Sequence, residues 1–256
     1  MGKLPIILDN KAMLSQFFAK DFAGPPFQLF GPHHLAAMGI IFGINIALIG
    51  WGRRIPERWR DPVRVTMAAL LLVDEAVLHW WRWRIGTWTV QEMLPFHLCA
   101  VLIYVSSAAL LTKNRRLYEF VYLLGVAGAM QAIITPDAGP YGFPHFRFFQ
   151  VFISHGLIVT AGIWLTAVEG LRPFPHSLRR VAFVGLAYMV FVGIINRLLG
   201  SNYLFIAHKP ETASLMDVLP PWPWYIPVLL LLAALFVGLA YLPFAVSDWR
   251  ARAARQ

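Results

Sequence analysis

One cysteine and several histidines are the residues whose types could carry out nucleophilic chemistry. Cys99 is the only thiol and ends the segment Leu94–Cys99, which reads LPFHLC. A lone cysteine in an apolar stretch is most often a small packing residue, but a thiol beside a histidine becomes a nucleophile for acyl transfer. His97 lies about 200° round a helix from Cys99 and does not face it. His155, at a similar depth in a later apolar stretch, or His34 is the better-placed base for a nucleophilic Cys99.

A second set of polar side chains interrupts the apolar stretches and could bind a substrate. Glu75, His79 and Arg82 are four and three residues apart, so they share one face of a helix. Arg147 and Gln150 lie on one face of a later helix, and arginine and amide donors can hold a phosphate or an oxyanion. The predicted substrate-binding residues are His34, Glu75, His79, Arg82, His97, Gln131, Arg147, Gln150, Ser154 and Asn202.

Two other functions would use the same residues. A cavity lined by them could bind or carry a small anionic solute or a lipid headgroup without catalysis. An intramembrane metal-dependent hydrolase would need three ligands on one ion, and the candidate ligands are His34, His79, His97, His145, His155, Asp74 and Glu75. Because no His-x-x-x-His or HExxH spacing occurs, we predict no metal site and no cofactor.

The composition indicates that these side chains are positioned inside a membrane. The chain is 58% hydrophobic and 14% charged, whereas soluble domains are nearer about 45–50% apolar and about 25% charged. The formal net charge of +9 would suggest nucleic acid in a soluble protein. Here the basic residues fall in short loops between apolar stretches, as membrane topology requires. We therefore expect membrane lipids as partners and no nucleic acid; if the protein transfers acyl groups, a membrane phospholipid could be the acyl donor.

Seven apolar stretches approach the ~20 residues that a spanning helix needs. They predict an all-α, polytopic, seven-transmembrane-helix bundle that occupies residues 31–248, between an N-terminal segment at 1–30 and a basic tail at 249–256. The predicted spans are His34–Trp51, Val63–Trp83, Leu94–Thr112, Leu117–Thr135, Phe146–Val168, Val181–Leu199 and Tyr225–Val246.

The basic residues predict the orientation of the bundle. Fourteen of the 22 lysine and arginine residues lie on one side, at Arg53, Arg54, Arg58, Arg60, Arg64, Lys113, Arg115, Arg116, Arg172, Arg179, Arg180, Arg250, Arg252 and Arg255. Loops rich in lysine and arginine stay in the cytoplasm. With seven spans, the N-terminus is then outside and the C-terminus is cytoplasmic.

This orientation puts the polar side chains of the spans in their outer halves. A charge at the bilayer centre costs ~3 kcal/mol, so such groups should face one another across the bundle. We expect one polar cavity open to the outer leaflet, above an apolar cytoplasmic plug that receives an acyl tail. Two outer segments could cover it: an interfacial amphipathic helix at 10–22, and a short helix at 212–217 followed by a Pro/Trp anchor at 220–224.

Six short motifs occur in a fixed order along the chain. They are Gly31–His34, Leu94–Cys99, Arg147–Gly156, Asn202-Tyr203, Lys209-Pro210 and Pro221–Tyr225. In these motifs, and from about Gly31 to Ala240, the sequence resembles the YwaF-like family of bacterial integral membrane proteins. That family is similar to a eukaryotic family of transmembrane phospholipid acyltransferases.

The resemblance implies a seven-helix, multi-pass protein of the bacterial inner (plasma) membrane. Its eukaryotic side implies acyl transfer between phospholipids through a cysteine and a histidine, which fall on Cys99 and His155. The residue after Cys99 is Ala100, where the family has an acidic or polar residue, so no carboxylate at that position orients the base. We therefore expect a lipid acyltransferase or lipid ester hydrolase with a Cys/His pair.

Overall fold

The computed structural model describes residues 16–210 and 215–255, and the regular elements in these residues are all helical. Every predicted span contains a helix. The long helices are α1 (Pro32–Trp51), α2 (Glu57–Arg84), α3 (Leu98–Thr112), α4 (Arg115–Ile134), α5 (Phe146–Ala167), α6 (Pro175–Leu199) and α7 (Tyr225–Ala253). Short 3-10 helices follow α1 at Gly52–Arg54 and precede α7 at Tyr203–Phe205 and Leu215–Val218.

Five of the described helices are long and apolar enough to cross a membrane, namely α1 with its 3-10 extension, α4, α5, α6 and α7. The apolar helix α3 falls short because it has 15 residues. Charged side chains such as Arg64, Asp74 and Glu75 interrupt the apolar character of α2. Length and composition therefore support a multi-pass membrane protein with at least these five candidate spans.

The helix bounds differ from the predicted spans where proline or charge intervenes. Residues 94–97 stay outside α3: Pro95 disfavours a helical conformation of Leu94, and His97 is the N-cap of the helix, with an extended backbone. α2 begins earlier than predicted, at Glu57, and so includes the charged residues before Val63. α7 ends later than predicted, at Ala253 and not at Val246.

α4 contains a π-helical turn at Val121–Val126 that separates its α-helical parts, Arg115–Phe120 and Ala127–Ile134. The turn packs against α5, where Gly162 lies so close that a Cβ atom would be 2.8 Å from the Val126 side chain. A side chain at position 162 would therefore require the Val126 side chain to shift, because the Tyr122 and Val121 backbone atoms lie 3.4 and 3.5 Å from the same Cβ position. Such π-turns occur mostly as single turns inside α-helices.

α5 is the centre of the bundle and packs against α1, α2, α3 and α4. In the 18-residue apolar stretch of α5, 67% of the residues are buried inside the protein, whereas the figure for the peripheral α7 is 6%. Contacts between helix ends show that successive helices alternate in direction: His34 in α1 meets the end of α4, and Arg64 in α2 meets the end of α3. We call the two ends of the bundle the His34 end and the Arg64 end.

The predicted helix at 10–22 lies partly outside the described residues, and from Phe18 onward it is wrong. Consecutive backbone carbonyls there accept hydrogen bonds from the bundle: Phe18 from Trp81 Nε1 (3.0 Å), Ala19 from His145 Nε2 (2.9 Å) and Lys20 from the Tyr141 hydroxyl (3.0 Å). These bonds fix residues 18–20 as a strap across the His34 end. Of the predicted helix at 212–217, residues 212–214 lie outside the described part, and Leu215–Val218 is a 3-10 helix.

Ion pairs hold the helices together at the Arg64 end. The Arg180 Nη1 atom of α6 lies 2.5 Å from Glu119 Oε2 of α4, and the Glu119 side chain is 0% exposed. Arg172 pairs with Asp248 of α7 at 2.7 Å. Because Glu119 is buried, its charge depends on Arg180 as its partner.

Replacing Arg180 with methionine should lower the melting temperature of the purified protein in detergent. The change leaves Glu119 buried and unpaired, which costs about 3 kcal/mol or more in a buried pair. Its exposed neighbour Arg179 provides the matched control, and Arg179→Met should melt like wild type. Combining Arg180→Met with Glu119→Gln should restore part of the lost melting temperature. Equal melting temperatures of the Arg180→Met and Arg179→Met proteins would show that the Arg180–Glu119 pair does not stabilise the bundle.

The buried His145 ring connects the strap to α5 and must be neutral to do so. Its Nδ1 atom accepts a hydrogen bond from the Arg147 backbone N–H (3.0 Å), while Nε2–H donates to the Ala19 carbonyl. Burial lowers the pKa of His145; the bond to Ala19 opposes this effect, and the nearby Arg147 charge adds to it. Protonation of Nδ1 would place two N–H donors face to face.

We expect the strap to weaken in mild acid. Because the folded pKa of His145 lies below the ordinary value of about 6.5, the folded protein binds fewer protons than the unfolded chain. Stability is then full above that value and falls as the pH drops through it toward the lower folded pKa. Melting temperatures at about pH 7.5 and about pH 5 would measure the effect.

His145→Gln should flatten this pH dependence, because an amide can make the same two hydrogen bonds without titrating. His176, which is exposed before α6 at the opposite end, provides the control through His176→Gln. Identical pH profiles for the two variants would contradict the assignment.

Candidate functional site

A chain of polar side chains crosses from α2 to α5 in the half of the bundle nearer the His34 end. Gln150, which is 3% exposed, donates from Nε2 to Asp74 Oδ2 at 3.0 Å and accepts from Arg147 Nη1 through its Oε1. Arg147 Nη2 also donates to the Asp137 backbone carbonyl at 3.3 Å. The guanidinium of Arg147 is therefore held in one orientation from two directions.

His155 follows on α5, two turns deeper than Arg147. Its Nδ1 atom lies 2.7 Å from the Val151 carbonyl and 3.3 Å from the Ser154 hydroxyl, while the Ser154 hydroxyl donates to the Gln150 carbonyl at 2.8 Å. A carbonyl oxygen only accepts, so Nδ1 must carry the proton of a neutral ring. This leaves Nε2 with a free lone pair, the form that a general base needs.

Cys99 lies in the first turn of α3, which packs against both α2 and α5. The thiol is half-buried and makes no hydrogen bond with any described residue, His155 included. The fold therefore puts the predicted nucleophile and base on neighbouring helices without joining them directly.

Glu75 and His79 meet on one face of α2, as their spacing predicted. Glu75 is 6% exposed, and its Oε1 atom lies 3.3 Å from His79 Nε2. Trp88 Nε1–H donates to His79 Nδ1 at 2.9 Å, which makes Nε2 the ring donor toward Glu75. Arg82 does not join them: its guanidinium stacks over the Trp81 ring, and its buried Nε atom has no hydrogen-bond partner.

Two predicted site histidines and one asparagine organise the backbone instead. His34 is 1% exposed; it accepts from the Phe30 N–H and donates to the Ile133 carbonyl, both at 2.9 Å. No lone pair remains on its ring, so His34 cannot be the alternative base. His97 accepts from the Leu204 N–H at 3.4 Å. Asn202 bonds to the backbone of residues 207 and 208 and to the His208 ring.

Sequence reasoning missed an apolar cavity of about 310 Å³ between α3, α4 and α7. Leu98 of α3, Leu124 and Gly128 of α4 and Phe236 of α7 are among its lining residues. Gln131, a predicted binding residue, also lines it, and the Gln131 amide makes no hydrogen bond with a described residue. Little in the sequence indicates this cavity. The one hint is that Gly128 and Ala233 are small residues on two spans, and the structure shows that these spans are neighbours.

The proposed metal ligands do not converge. Within residues 16–210 and 215–255, no group of three His, Cys, Asp or Glu side chains could hold a metal ion. Both ring nitrogens of His34 and of His145 are engaged with the protein. The described residues thus provide no support for a metal-dependent hydrolase.

Comparison with known families matches most of the chain. The model of the TMEM164 family matches residues 29–241, which include α1 to α6 and the first half of α7. No curated protein and no solved structure matches the chain. Both Cys99 and His155, together with the polar side chains around them, fall inside the matched range. The chain therefore belongs to the TMEM164 family, a family of transmembrane proteins.

Proposed function

We propose that the protein is a membrane-embedded enzyme that cleaves lipid esters through Cys99, either transferring the acyl group to another lipid or releasing it to water. The observation that carries the proposal is the state of His155. The bond from its Nδ1–H to the Val151 carbonyl leaves Nε2 unprotonated inside an apolar bundle. The likeness of the sequence motifs to phospholipid acyltransferases supports the same chemistry.

The proposed reaction has two halves. His155 Nε2 takes the proton of the Cys99 thiol, and the thiolate attacks the ester carbonyl carbon. The carbon–oxygen bond of the tetrahedral intermediate breaks, and the leaving oxygen takes the proton back from His155. A lipid hydroxyl or water, deprotonated by His155, then attacks the thioester carbon; the carbon–sulfur bond breaks and the free thiol returns. Since catalytic hydrogen bonds are often long without substrate, the separation of Cys99 and His155 is compatible with this scheme.

Arg147 and Gln150 are the donors we assign to the charged part of the substrate. Arg147 lies eight residues before His155 on α5, which is about 12 Å along the helix axis. This spacing leaves room for a headgroup phosphate near Arg147 and an ester carbonyl near His155. Held by Gln150 and the Asp137 carbonyl, the guanidinium is pre-organised for an anion.

In the membrane we propose the seven-span arrangement with the His34 end outside. This arrangement is supported by the five apolar spans and by the basic residues gathered at the Arg64 end, such as Arg64, Arg172 and Arg180. α2 and α3 would then cross the membrane inside the bundle, where their neighbours cover the polar groups of α2. The Cys99 site would open toward the outer leaflet.

An acyl-donating probe should form one covalent adduct with the purified protein in lipid nanodiscs, detected by intact mass. Cys99→Ala should abolish the adduct, because it removes the only thiol. His155→Gln should slow adduct formation by about 100-fold, the usual contribution of a general base. His176→Gln, at the opposite end of the bundle, is the matched histidine control and should label like wild type. Labelling that persists in Cys99→Ala, or that is equal in the two histidine variants, would refute the assignment.

A second candidate, a non-enzymatic binder or transporter of an anion or headgroup, is favoured by Arg82. Its Nε atom is buried without a partner, and neither Arg82 nor Arg147 forms a carboxylate ion pair within the described residues. The two guanidinium groups also interact electrostatically. A bound phosphate group would satisfy both.

Retention of a phospholipid by the purified protein, followed by native mass spectrometry, tests this candidate. Arg82→Gln should lose about tenfold in affinity, since charged hydrogen bonds contribute about 1.5–3 kcal/mol. The exposed Arg84, two residues further along α2, serves as control through Arg84→Gln. Retained lipid together with no acyl adduct on any variant would favour the binder over the enzyme. An equal loss of lipid affinity in Arg82→Gln and Arg84→Gln would exclude a binding site at Arg82.

A further inference from the structure

We propose that the cavity between α3, α4 and α7 binds the hydrocarbon chain of the acyl group and limits the chain lengths that the protein accepts. The proposal rests on the proposed function for the identity of the chain as an acyl group. Binding of a chain in the cavity does not itself require the Cys99 chemistry.

The walls of the cavity are apolar except at one end, as a bound hydrocarbon chain requires. Only Gln131 and Thr135 among the lining residues are polar, and they lie one turn apart at the His34 end of α4. The deeper wall, from Leu124 of α4 to Phe236 and Val237 of α7, is apolar. A ligand that fits therefore has one polar end and a long apolar remainder.

The cavity is covered by a helix that faces lipid. α7 exposes large apolar side chains along its outer side, with Leu231 71% and Leu235 54% exposed. A chain from the bilayer can reach the cavity beside α7 without passing through water. This access favours a membrane lipid over a solute from the aqueous phase.

The polar end of the cavity suits an acyl carbonyl. The Thr135 hydroxyl donates to the Gln131 backbone carbonyl at 3.1 Å and is thereby satisfied. The Gln131 side-chain amide has no such bond with the described residues, and an amide in apolar surroundings gains by acquiring a partner. An ester carbonyl at this depth would supply that partner.

The cavity reaches the residue that precedes the candidate nucleophile. Leu98, which lines the cavity, directly precedes Cys99 in the first turn of α3. A chain in the cavity would therefore bring its carbonyl end to the turn of α3 that carries the thiol.

The volume distinguishes long chains from short ones. A cavity of about 310 Å³ is far larger than an acetyl group needs, and it has room for a long stretch of hydrocarbon chain. We expect a dodecanoyl chain to use the whole cavity and an acetyl group to use almost none of it.

Two adjacent alanines of α7 provide the test. Ala233 lines the cavity and Ala234 does not, so Ala233→Phe fills the space while Ala234→Phe makes the same change outside it. The purified full chain in nanodiscs is labelled with acetyl and dodecanoyl nitrophenyl esters and read by intact mass. Ala233→Phe should lower dodecanoyl labelling at least about tenfold, a change of about 1.4 kcal/mol, and leave acetyl labelling unchanged. Ala234→Phe should leave both unchanged.

A second pair of variants covers the case in which Ala233→Phe fails to fold. A Cβ added at Gly128 would lie 3.4 Å from Leu98 Cδ2, an ordinary contact, so Gly128→Leu also fills the cavity. Gly43 of α1 has no atom within 4 Å of an added Cβ and provides the matched control, Gly43→Leu. Gly128→Leu should reproduce the selective loss of dodecanoyl labelling.

A separate measurement distinguishes failure of the cavity proposal from failure of the catalytic one. A photoactivatable dodecanoate is crosslinked to the Cys99→Ala protein, and the labelled peptides are identified. Labels on α4 and α7 that disappear in Ala233→Phe support the chain site even if no ester labels Cys99. Equal crosslinking in Ala233→Phe and Ala234→Phe, or equal loss of both esters in the cavity variants, would overturn the proposal.

Discussion

The structure depends on one constraint: inside hydrocarbon, each polar group needs a partner supplied by the protein. α5 satisfies this constraint for most of the site. Asp74, Gln150 and Arg147 form one continuous chain of hydrogen bonds, and the Ser154 hydroxyl returns to the backbone of its own helix. Because these partners are internal, the side chains that could meet a substrate already have fixed positions before it arrives. Among the described residues near the site, the Cys99 thiol, His155 Nε2, Arg82 Nε and the Gln131 amide have no hydrogen-bond partner, so a ligand could engage them.

The same constraint explains why the two ends of the bundle are built differently. At the Arg64 end, buried carboxylates such as Glu119 are paired with arginines from helices that are not adjacent in sequence, so charge pairs connect the elements there. At the His34 end, neutral donors from Trp81, Tyr141 and His145 bind the carbonyls of residues 18–20. A strap held by neutral hydrogen bonds responds to pH only through His145. One end of the bundle is thus held by charge and the other by a neutral network.

The sequence predicted the features that arise from local pattern. The apolar length of the spans, the shared face of Glu75 and His79, and the placement of Arg147 and Gln150 on one face of α5 all follow from periodicity along a single helix. The roles of His34 and His97 could not be predicted, because their partners, Ile133 and Leu204, are about a hundred residues away in the chain. The 310 Å³ cavity was equally unpredictable, since it is a space between α3, α4 and α7 and no residue type marks a space. The sequence predicts a helix at 10–22 because apolar residues such as Phe18 and Phe22 recur at helical spacing. In the structure, Trp81, His145 and Tyr141 instead bind the backbone carbonyls of residues 18–20.

The cavity suggests how a substrate could bring Cys99 and His155 together. A thiol and an imidazole that were already paired would be reactive toward any electrophile that entered the bundle. In the proposed reaction the first turn of α3 would have to approach α5, and Leu98 of that turn lines the cavity. A chain in the cavity would contact Leu98, so binding energy from the apolar part of the substrate could be used to assemble the reacting groups. Reactivity would then follow chain length through the rate of the chemical step as well as through affinity, because a short ester could reach Cys99 without bringing His155 to it.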